Sequence, residues 1–133
     1  MMNMTAEMMN TMTADMQGMD MKLMQDCMEA CAAAEQACLM CSDACSGEGM
    51  GKCASMCANC ADMCNMMMRM MMRPMGMDMG VMMMMLEACA LMCRTCADEC
   101  MMHDSDHCKM TAQVAMNCAD ACEKMMVSMR SMS

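Results

Sequence analysis

The 133-residue sequence contains no phenylalanine, tyrosine, tryptophan or isoleucine, and only four leucines and three valines. Without aromatic rings it offers no stacking platform for nucleobases, and without branched aliphatic residues a β-rich core is disfavoured. The formal charge of −9 leaves no basic face, so we expect no nucleic-acid partner. Six glycines and one proline are too few for the loop-rich build of a small disulfide-stapled secreted domain.

Long uninterrupted apolar runs are also scarce. The two most apolar tracts lie around residues 81–86 and 110–119 and are bounded by Glu87 and Asp120. Both fall short of the roughly 18 apolar residues that a spanning helix needs, so we expect no membrane partner. The first residues show no basic segment followed by an apolar one, as a secretory signal would. We therefore expect a cytoplasmic location and leave an exported mature form open.

What the chain has in abundance is sulfur, since 37 methionines and 16 cysteines occupy 53 of its 133 positions. Helix-breaking residues lie at Gly18 and in clusters at 46–51, 73–76 and 103–106. They divide the chain into a Met-rich leader and four segments rich in helix formers, at roughly 20–46, 51–73, 78–102 and 105–130. The sequence predicts an all-α protein, an antiparallel four-helix bundle over residues 20–133, with a short extra helix in the leader, residues 1–19.

The cysteines repeat at helical spacing. The second and third segments each read C-x3-C-x2-C-x3-C, and the other two keep this register with Ala34, Thr111 and Ala115 in intervening slots. At about 100° per residue these positions share a narrow arc of each helix, so we expect the thiols to face the bundle interior. The predicted metal ligands include every cysteine: Cys27, Cys31, Cys38, Cys41, Cys45, Cys53, Cys57, Cys60, Cys64, Cys89, Cys93, Cys96, Cys100, Cys108, Cys118 and Cys122.

Such a stripe of thiols has three chemical interpretations. Core filling alone explains it poorly, because cysteine is small and oxidisable. Disulfides between neighbours on one helix would add little, since the helix already fixes their separation, although bonds between helices stay open. Metal binding fits best, because two thiolates one turn apart can hold a two-coordinate soft ion, and thiolates with thioethers select Cu(I). Zinc prefers closed sets of four ligands, and we expect an evenly spaced ladder of thiols not to divide naturally into such sets. The ferredoxin cysteine string is absent.

The segment LEACALMCRTCADEC at residues 86–100 resembles the bacterial copper storage proteins, which are cysteine-rich four-helix bundles. The cysteine stripe at 27–45 and the His103-x3-His107-Cys108 turn resemble the same family. The resemblance implies a tube of thiolates that stores many Cu(I) ions, and the cytosolic type of the family is the nearer match. Because His107 adjoins Cys108 in this turn, it is a further candidate ligand.

Most of the 37 methionines are expected to pack or to lie on the surface, because Met is flexible and a good helix former. A subset continues the inward stripe at one end of the bundle, opposite the two histidines. Thioethers carry no charge and bind Cu(I) more weakly than thiolates, so this subset predicts a mouth that aids copper uptake. General replacement of Leu and Ile by Met is the alternative. The predicted mouth consists of Met24, Met67, Met71, Met82, Met85, Met125 and Met129.

The sequence thus predicts a store for multiple Cu(I) ions. We expect no enzyme, because both histidines lie in one turn and no nucleophile–base arrangement is visible. Copper ions are the expected partner, with a copper chaperone or a low-molecular-weight thiol as candidate donor and a homo-oligomer left open. The alternatives are a thiol and thioether redox sink, or a Zn or mixed-metal buffer. Because the ligands lie on preformed helices, we expect a folded metal-free protein.

Overall fold

A computed structural model describes residues 4–12 and 18–132 of the chain. Over these residues it contains no strand and five α-helices: α1 (Thr5–Asn10), α2 (Met21–Gly47), α3 (Gly51–Met71), α4 (Met79–Met101) and α5 (Asp106–Arg130). A 3-10 turn, Pro74–Gly76, lies between α3 and α4. The four long helices begin and end within two residues of the predicted segments, and the all-α bundle is confirmed.

The four long helices form a closed ring around one core. Each packs against two others, so that α2 and α4 both contact α3 and α5. Short connections make consecutive helices antiparallel, which gives an up-down-up-down bundle. As a result the N-termini of α2 and α4 share one end of the bundle with the C-termini of α3 and α5.

Polar caps begin three of these helices. The Asp20 carboxylate accepts hydrogen bonds from the backbone N–H groups of Lys22 and Leu23, at 2.9 and 3.1 Å. Asp78 caps α4 in the same way, and the Ser105 hydroxyl caps α5 by accepting from the N–H of Cys108 at 3.3 Å. These bonds satisfy N–H groups that have no partner inside the helix, and they fix where each stripe of side chains begins.

The leader contributes the predicted short helix, α1. Met9 is buried in the same core cluster as the long helices, and the Gln25 side chain donates to the Ala6 carbonyl and to Asn10, both at 3.4 Å. Residues 1–3 and 13–17 of the predicted leader, and residue 133, lie outside the described part of the chain. The division into a leader and a storage domain at residue 20 stays a prediction.

Helix α4 departs from the expectation that no segment could span a membrane. By length and composition Met79–Met101 is apolar enough to do so, because methionine and cysteine both count as apolar. In the structure one face of α4, which carries Leu86 and four cysteines, is buried in the bundle, and a third of its most apolar stretch is buried.

Sulfur replaces hydrocarbon throughout the core. In the described residues Leu86 is the one branched aliphatic side chain that is fully buried, and the remaining core is cysteine, methionine and alanine. Ala34 and Ala115 are buried at the stripe positions where the sequence predicted gaps between cysteines, and Thr111 is buried as well. The Thr111 hydroxyl donates to the Ala37 carbonyl at 3.4 Å, which satisfies this polar group.

Candidate metal centre

All sixteen cysteines lie in the interior, and none is more than 1% exposed. All are free thiols, so the disulfide interpretation has no support here. They form what we call the thiol column, which runs along the axis of the bundle. It extends from the end with the predicted methionine mouth to the end that carries His103 and His107, which we call the histidine end. The stripe that the sequence predicted on each helix therefore assembles into one continuous interior.

Contacts between helices hold the column together. Between α2 and α5, the sulfurs of Cys27 and Cys122 lie 3.8 Å apart and those of Cys31 and Cys118 lie 3.6 Å apart. The Cys118 sulfur also lies 4.0 Å from that of Cys64 on α3, which connects the two halves of the bundle.

Between α3 and α4 the contacts continue toward the histidine end. The Cys93 sulfur lies 3.7 Å from that of Cys64, and the Cys57 sulfur lies 3.8 Å from that of Cys96 and 3.6 Å from that of Cys100. Most of these contacts join different helices. We had expected pairs one turn apart on a single helix to be the elementary unit, and Cys41 with Cys45, at 3.7 Å, is one such pair. Sulfurs on facing helices are equally close because all four stripes converge on the axis.

These separations suit a soft metal. A disulfide bond is about 2.05 Å long, so sulfurs 3.6–4.0 Å apart are unbonded. A metal held linearly between two thiolates, at about 2.3 Å from each, needs sulfurs about 4.6 Å apart. Admitting a metal would increase the separation of the sulfurs by about 0.6–1.0 Å, a distance that rotation of the cysteine side chains can supply.

Several sets of side chains could hold a metal ion, with all ligand atoms in a set within 4.8 Å of one another. Contrary to the expectation that the ladder would not divide into sets of four, four-residue groups exist. They overlap, however, because Cys89 and Cys118 belong to two groups and Cys41 belongs to two others. Five of the groups are Cys31–Cys89–Cys118–Cys122, Cys64–Cys89–Cys93–Cys118, Cys41–Cys53–Cys57–Cys100, Cys41–Cys45–His107–Cys108 and Cys38–Cys60–Cys96.

His107 lies at one end of the column, where the sequence predicted a ligand. Its Nδ1 is 3.3 Å from the Cys41 sulfur and 3.7 Å from the Cys108 sulfur, while its Nε2 is 2.8 Å from a carboxylate oxygen of Glu48. A carboxylate only accepts, so Nε2 carries the hydrogen and donates to Glu48. In the neutral ring Nδ1 then keeps a lone pair directed at the thiols. This is the arrangement in which a carboxylate orients a metal-binding histidine.

His103 makes a different contact at the same end. Its Nε2 is 2.9 Å from a carboxylate oxygen of Glu99, which is only 7% exposed and also lies 3.5 Å from the Lys52 ammonium. Neither Glu99 nor Glu48 was predicted from the sequence. Glu99 precedes His103 by four residues on a helix, a spacing that could have revealed the pair. Glu48 lies in the loop after α2, far along the chain from His107, and no local pattern marks it.

Burial shifts the acid–base behaviour of the thiols. Removal from water disfavours the thiolate and raises the pKa of Cys45 and of Cys53 to about 12, from the ordinary value of 9.0. Deeper in the column, hydrogen bonds from Cys122 and Cys31 stabilise a thiolate at Cys27 and lower its pKa. At the histidine end, therefore, metal binding must displace protons from neutral thiols.

The predicted mouth residues gather at the opposite end, but they form a closed cluster. Six of the seven are at most 5% exposed, and Met126, which the sequence analysis missed, is buried beside them. Met85 is only half-buried, and Leu86 takes the core position instead. The stripe on α4 alternates steps of three and four residues, so the step before Cys89 falls on Leu86. We call this the thioether end; its buried methionines are Met24, Met67, Met71, Met82, Met125, Met126 and Met129.

Comparisons with known proteins agree with this architecture. A sequence model of the family described as copper storage protein matches residues 20–127, so the chain belongs to the copper storage protein family. The structure of Ccsp from Streptomyces lividans, a copper storage protein loaded with 10 copper equivalents, is 32% identical with a TM-score of 0.88, and the match covers 93% of this chain and 98% of that one.

Two further solved structures are similar. One is a cytosolic copper storage protein from Streptomyces lividans during copper loading, with five coppers bound. It is 33% identical with a TM-score of 0.76, and the match covers 80% of this chain and 93% of that one. The other is copper-free copper storage protein 3 from Bacillus subtilis, 31% identical with a TM-score of 0.69, covering 77% and 97%. No curated protein sequence matches the chain.

Proposed function

We propose that this protein stores multiple Cu(I) ions on the thiols of its column. The observation that carries this proposal is the set of sulfur contacts of 3.6–4.0 Å among buried and unbonded cysteines, which groups of ligands within 4.8 Å of one another link into one column across four helices. Membership of the copper storage protein family supports it, as does the similarity to a Streptomyces protein loaded with 10 copper equivalents.

Copper enters the column by replacing protons. Each Cu(I) binds two thiolates in near-linear geometry, and a thiolate that bridges two ions allows the ratio to approach about one metal per cysteine. Because the helices already hold the sulfurs close together, loading needs side-chain rotation and no refolding. The negative charge of the thiolates offsets the positive charge of the ions, so a nearly neutral cargo lies in the low-dielectric interior.

We propose that His107 forms the outermost site, together with Cys41, Cys45 and Cys108. Its ring is 30% exposed while the three sulfurs are buried, so it is the member of this group that an external donor can reach. A copper chaperone or a low-molecular-weight thiol is the class of donor we expect there. The similarity to a cytosolic Streptomyces protein supports action in the cytosol. Whether the chain forms a homo-oligomer is to be measured in solution.

The thioether end supplies weaker, uncharged ligands in the same stripe, and we propose that it aids uptake. Met67 and Met125 each lie three residues beyond a thiol of the column, Cys64 and Cys122, so an ion could pass between thioether and thiolate. Because these methionines are buried and cover the end of the thiol column, uptake there requires their flexible side chains to rotate. Leucine at Met67, Met71 and Met125 should slow loading. Loading kinetics identical to wild type would remove this role.

A Zn(II) buffer is the second candidate, and the four-cysteine groups favour it. Tetrahedral sites of this kind suit zinc. The groups share Cys89, Cys118 and Cys41, so neighbouring groups cannot all be filled as separate sites. Zinc should therefore saturate at far fewer ions per chain than copper.

An anaerobic titration separates these functions. Reduced protein is titrated with Cu(I) and, separately, with Zn(II) against a competing chelator, and the bound metal is counted per chain. We expect tight binding of ten or more Cu(I) ions, on the order of one per thiol, and at most a few Zn(II). Saturation at one or two Cu(I) would defeat the storage proposal. Tighter retention of zinc than of copper would favour the buffer.

A further inference from the structure

Surface methionines are the largest feature of this protein that copper storage does not use. Among the described residues thirteen methionines are highly exposed, and the most exposed six are between 63% and 88% accessible. The outer face of a bundle helix is normally charged or polar. These six surface methionines are Met40, Met75, Met84, Met101, Met102 and Met110.

The six surface methionines and the thiols lie at different depths. Every thiol is at most 1% exposed, whereas the six surface methionines extend into solvent from α2, α4 and α5 and from the turn at Pro74. They are spread over both ends and the sides of the bundle, so they do not form one docking face. A small oxidant in solvent can therefore contact these thioethers directly, whereas the thiols are covered by other side chains.

We propose that the exposed methionines form a renewable oxidant sink that spares the thiol column from peroxides. In the reaction the thioether sulfur takes one oxygen atom from hydrogen peroxide, the O–O bond breaks, and sulfoxide and water are formed. The sulfur is oxidised by two electrons and the peroxide is reduced by two. A methionine sulfoxide reductase, using two electrons from a dithiol, returns the thioether and releases water.

The position of these methionines makes the reaction harmless to the fold. A sulfoxide is polar, and in a core it disrupts packing. On an exposed side chain it stays in water and replaces apolar surface by polar surface. The thiols, in contrast, cannot be oxidised without loss of metal ligands. The sink therefore acts on the side chains whose oxidation costs the protein least.

The test uses the reduced, metal-free full-length protein with hydrogen peroxide under anaerobic conditions. Peptide mass spectrometry follows sulfoxide at each methionine while free thiols are counted after denaturation. We expect sulfoxide at the six surface methionines to form at least about tenfold faster than at buried Met24 and Met67, with the thiol count unchanged meanwhile. Sulfoxide reductase and a dithiol should reverse it. Loss of thiols before, or together with, the surface thioethers would overturn the proposal.

A variant with glutamine at all six surface methionines gives the second measurement. Because it removes six of the thirteen exposed thioethers in the described part of the chain, we expect its initial peroxide consumption to fall by roughly half. At a limiting peroxide dose it should lose more thiols than wild type. The matched control places glutamine at exposed Leu39, Val81, Leu91 and Val127, which changes surface polarity without removing sulfur. Unchanged thiol loss in the six-fold variant, or equal loss in the control, would overturn the sink.

Discussion

The two ends of the bundle continue the same four stripes but carry different chemistry. The histidine end carries thiols with raised pKa values, such as Cys45, together with His107, Glu48, Glu99 and Lys52. The ligands there are ionisable, and the His107 ring is partly exposed to solvent. At the thioether end the stripes carry buried methionines, which hold no exchangeable proton. The comparison shows that a position on the stripe is enough to bury a sulfur atom in the core. Whether that sulfur can hold a charged copper ion depends on whether the side chain is a thiol or a thioether.

The largest expected effect comes from removing thiols at the middle of the column. Serine at Cys64, Cys89, Cys93 and Cys118, which form one group, should lower copper capacity by about four ions per chain. The measurement is copper per chain after desalting of fully loaded protein.

The matched control changes the other region, with leucine at Met67, Met71, Met125 and Met129. We expect this variant to lose at most about one copper, because thioethers do not neutralise the charge of the ion. Equal losses in the two variants would remove the distinction between column and thioether end.

Alkaline pH should destabilise the metal-free protein through the histidine end. Burial raises the pKa of Cys45 and Cys53 to about 12, above the value of 9.0 for an exposed thiol, so between these values the folded state binds more protons than the unfolded state. Stability is therefore full below about pH 9 and falls as the pH rises toward 12. Thermal melts followed by circular dichroism should show a lower Tm at pH 10.5 than at pH 8.

Copper loading provides the control for this pH dependence. The loaded thiolates have already lost their protons, so the Tm of the loaded protein should change much less over the same interval. A metal-free protein with the same Tm at both pH values would show that these thiols titrate normally.

Glu48 should matter for copper binding although it is no ligand in this account. Alanine at Glu48 removes the acceptor that orients the His107 ring, and we expect the affinity of the outermost site to fall about tenfold. Glutamine at Glu48 keeps an oxygen that can accept from Nε2 and should restore much of the affinity. The measurement is competition with a Cu(I) chelator at one equivalent of copper.

Glu99 offers the matched control at the same end. Its carboxylate contacts His103 and Lys52, so alanine there should leave the affinity of the His107 site within about twofold of wild type. Equal losses for the two alanine variants would point to a general electrostatic effect of negative charge.

The smallest expected effect comes from extending the thiol column by one position on α5, into the thioether end. Met125 lies three residues after Cys122 on the α5 stripe and is 2% exposed. Cysteine at Met125 should add about one copper per chain and one released proton, whereas leucine at the same position should add neither. A cysteine variant with unchanged capacity would mean that the column ends at Cys122 for geometric reasons.

Most of the fold could be predicted from the sequence because the helix-breaking residues and the spacing of the cysteines indicate the same four helices. Asp20, Asp78 and Ser105 begin helices where cap residues precede long runs of helix formers. The regular steps of three and four residues also placed every cysteine in the interior. Met85 shows the limit, since the choice between neighbouring positions Met85 and Leu86 depends on the phase of the stripe along α4.

The finer features of the site were beyond the sequence. The contact between Glu48 and His107 joins residues far apart in the chain, and only the packing of α2 against α5 brings them together. Closure of the thioether end also depends on tertiary packing, because Met126 and Met125 are adjacent in sequence and yet both are buried. Adjacent residues can both be buried where a helix contacts two neighbours.

Native mass spectrometry of the reduced wild-type protein, loaded anaerobically with excess Cu(I) and then desalted, tests the central claim most directly. It counts the copper ions on each intact chain. If the thiol column is the store, the dominant species carries on the order of one copper per cysteine, with ten or more ions bound to most chains. A dominant species with one or two copper ions would contradict this account.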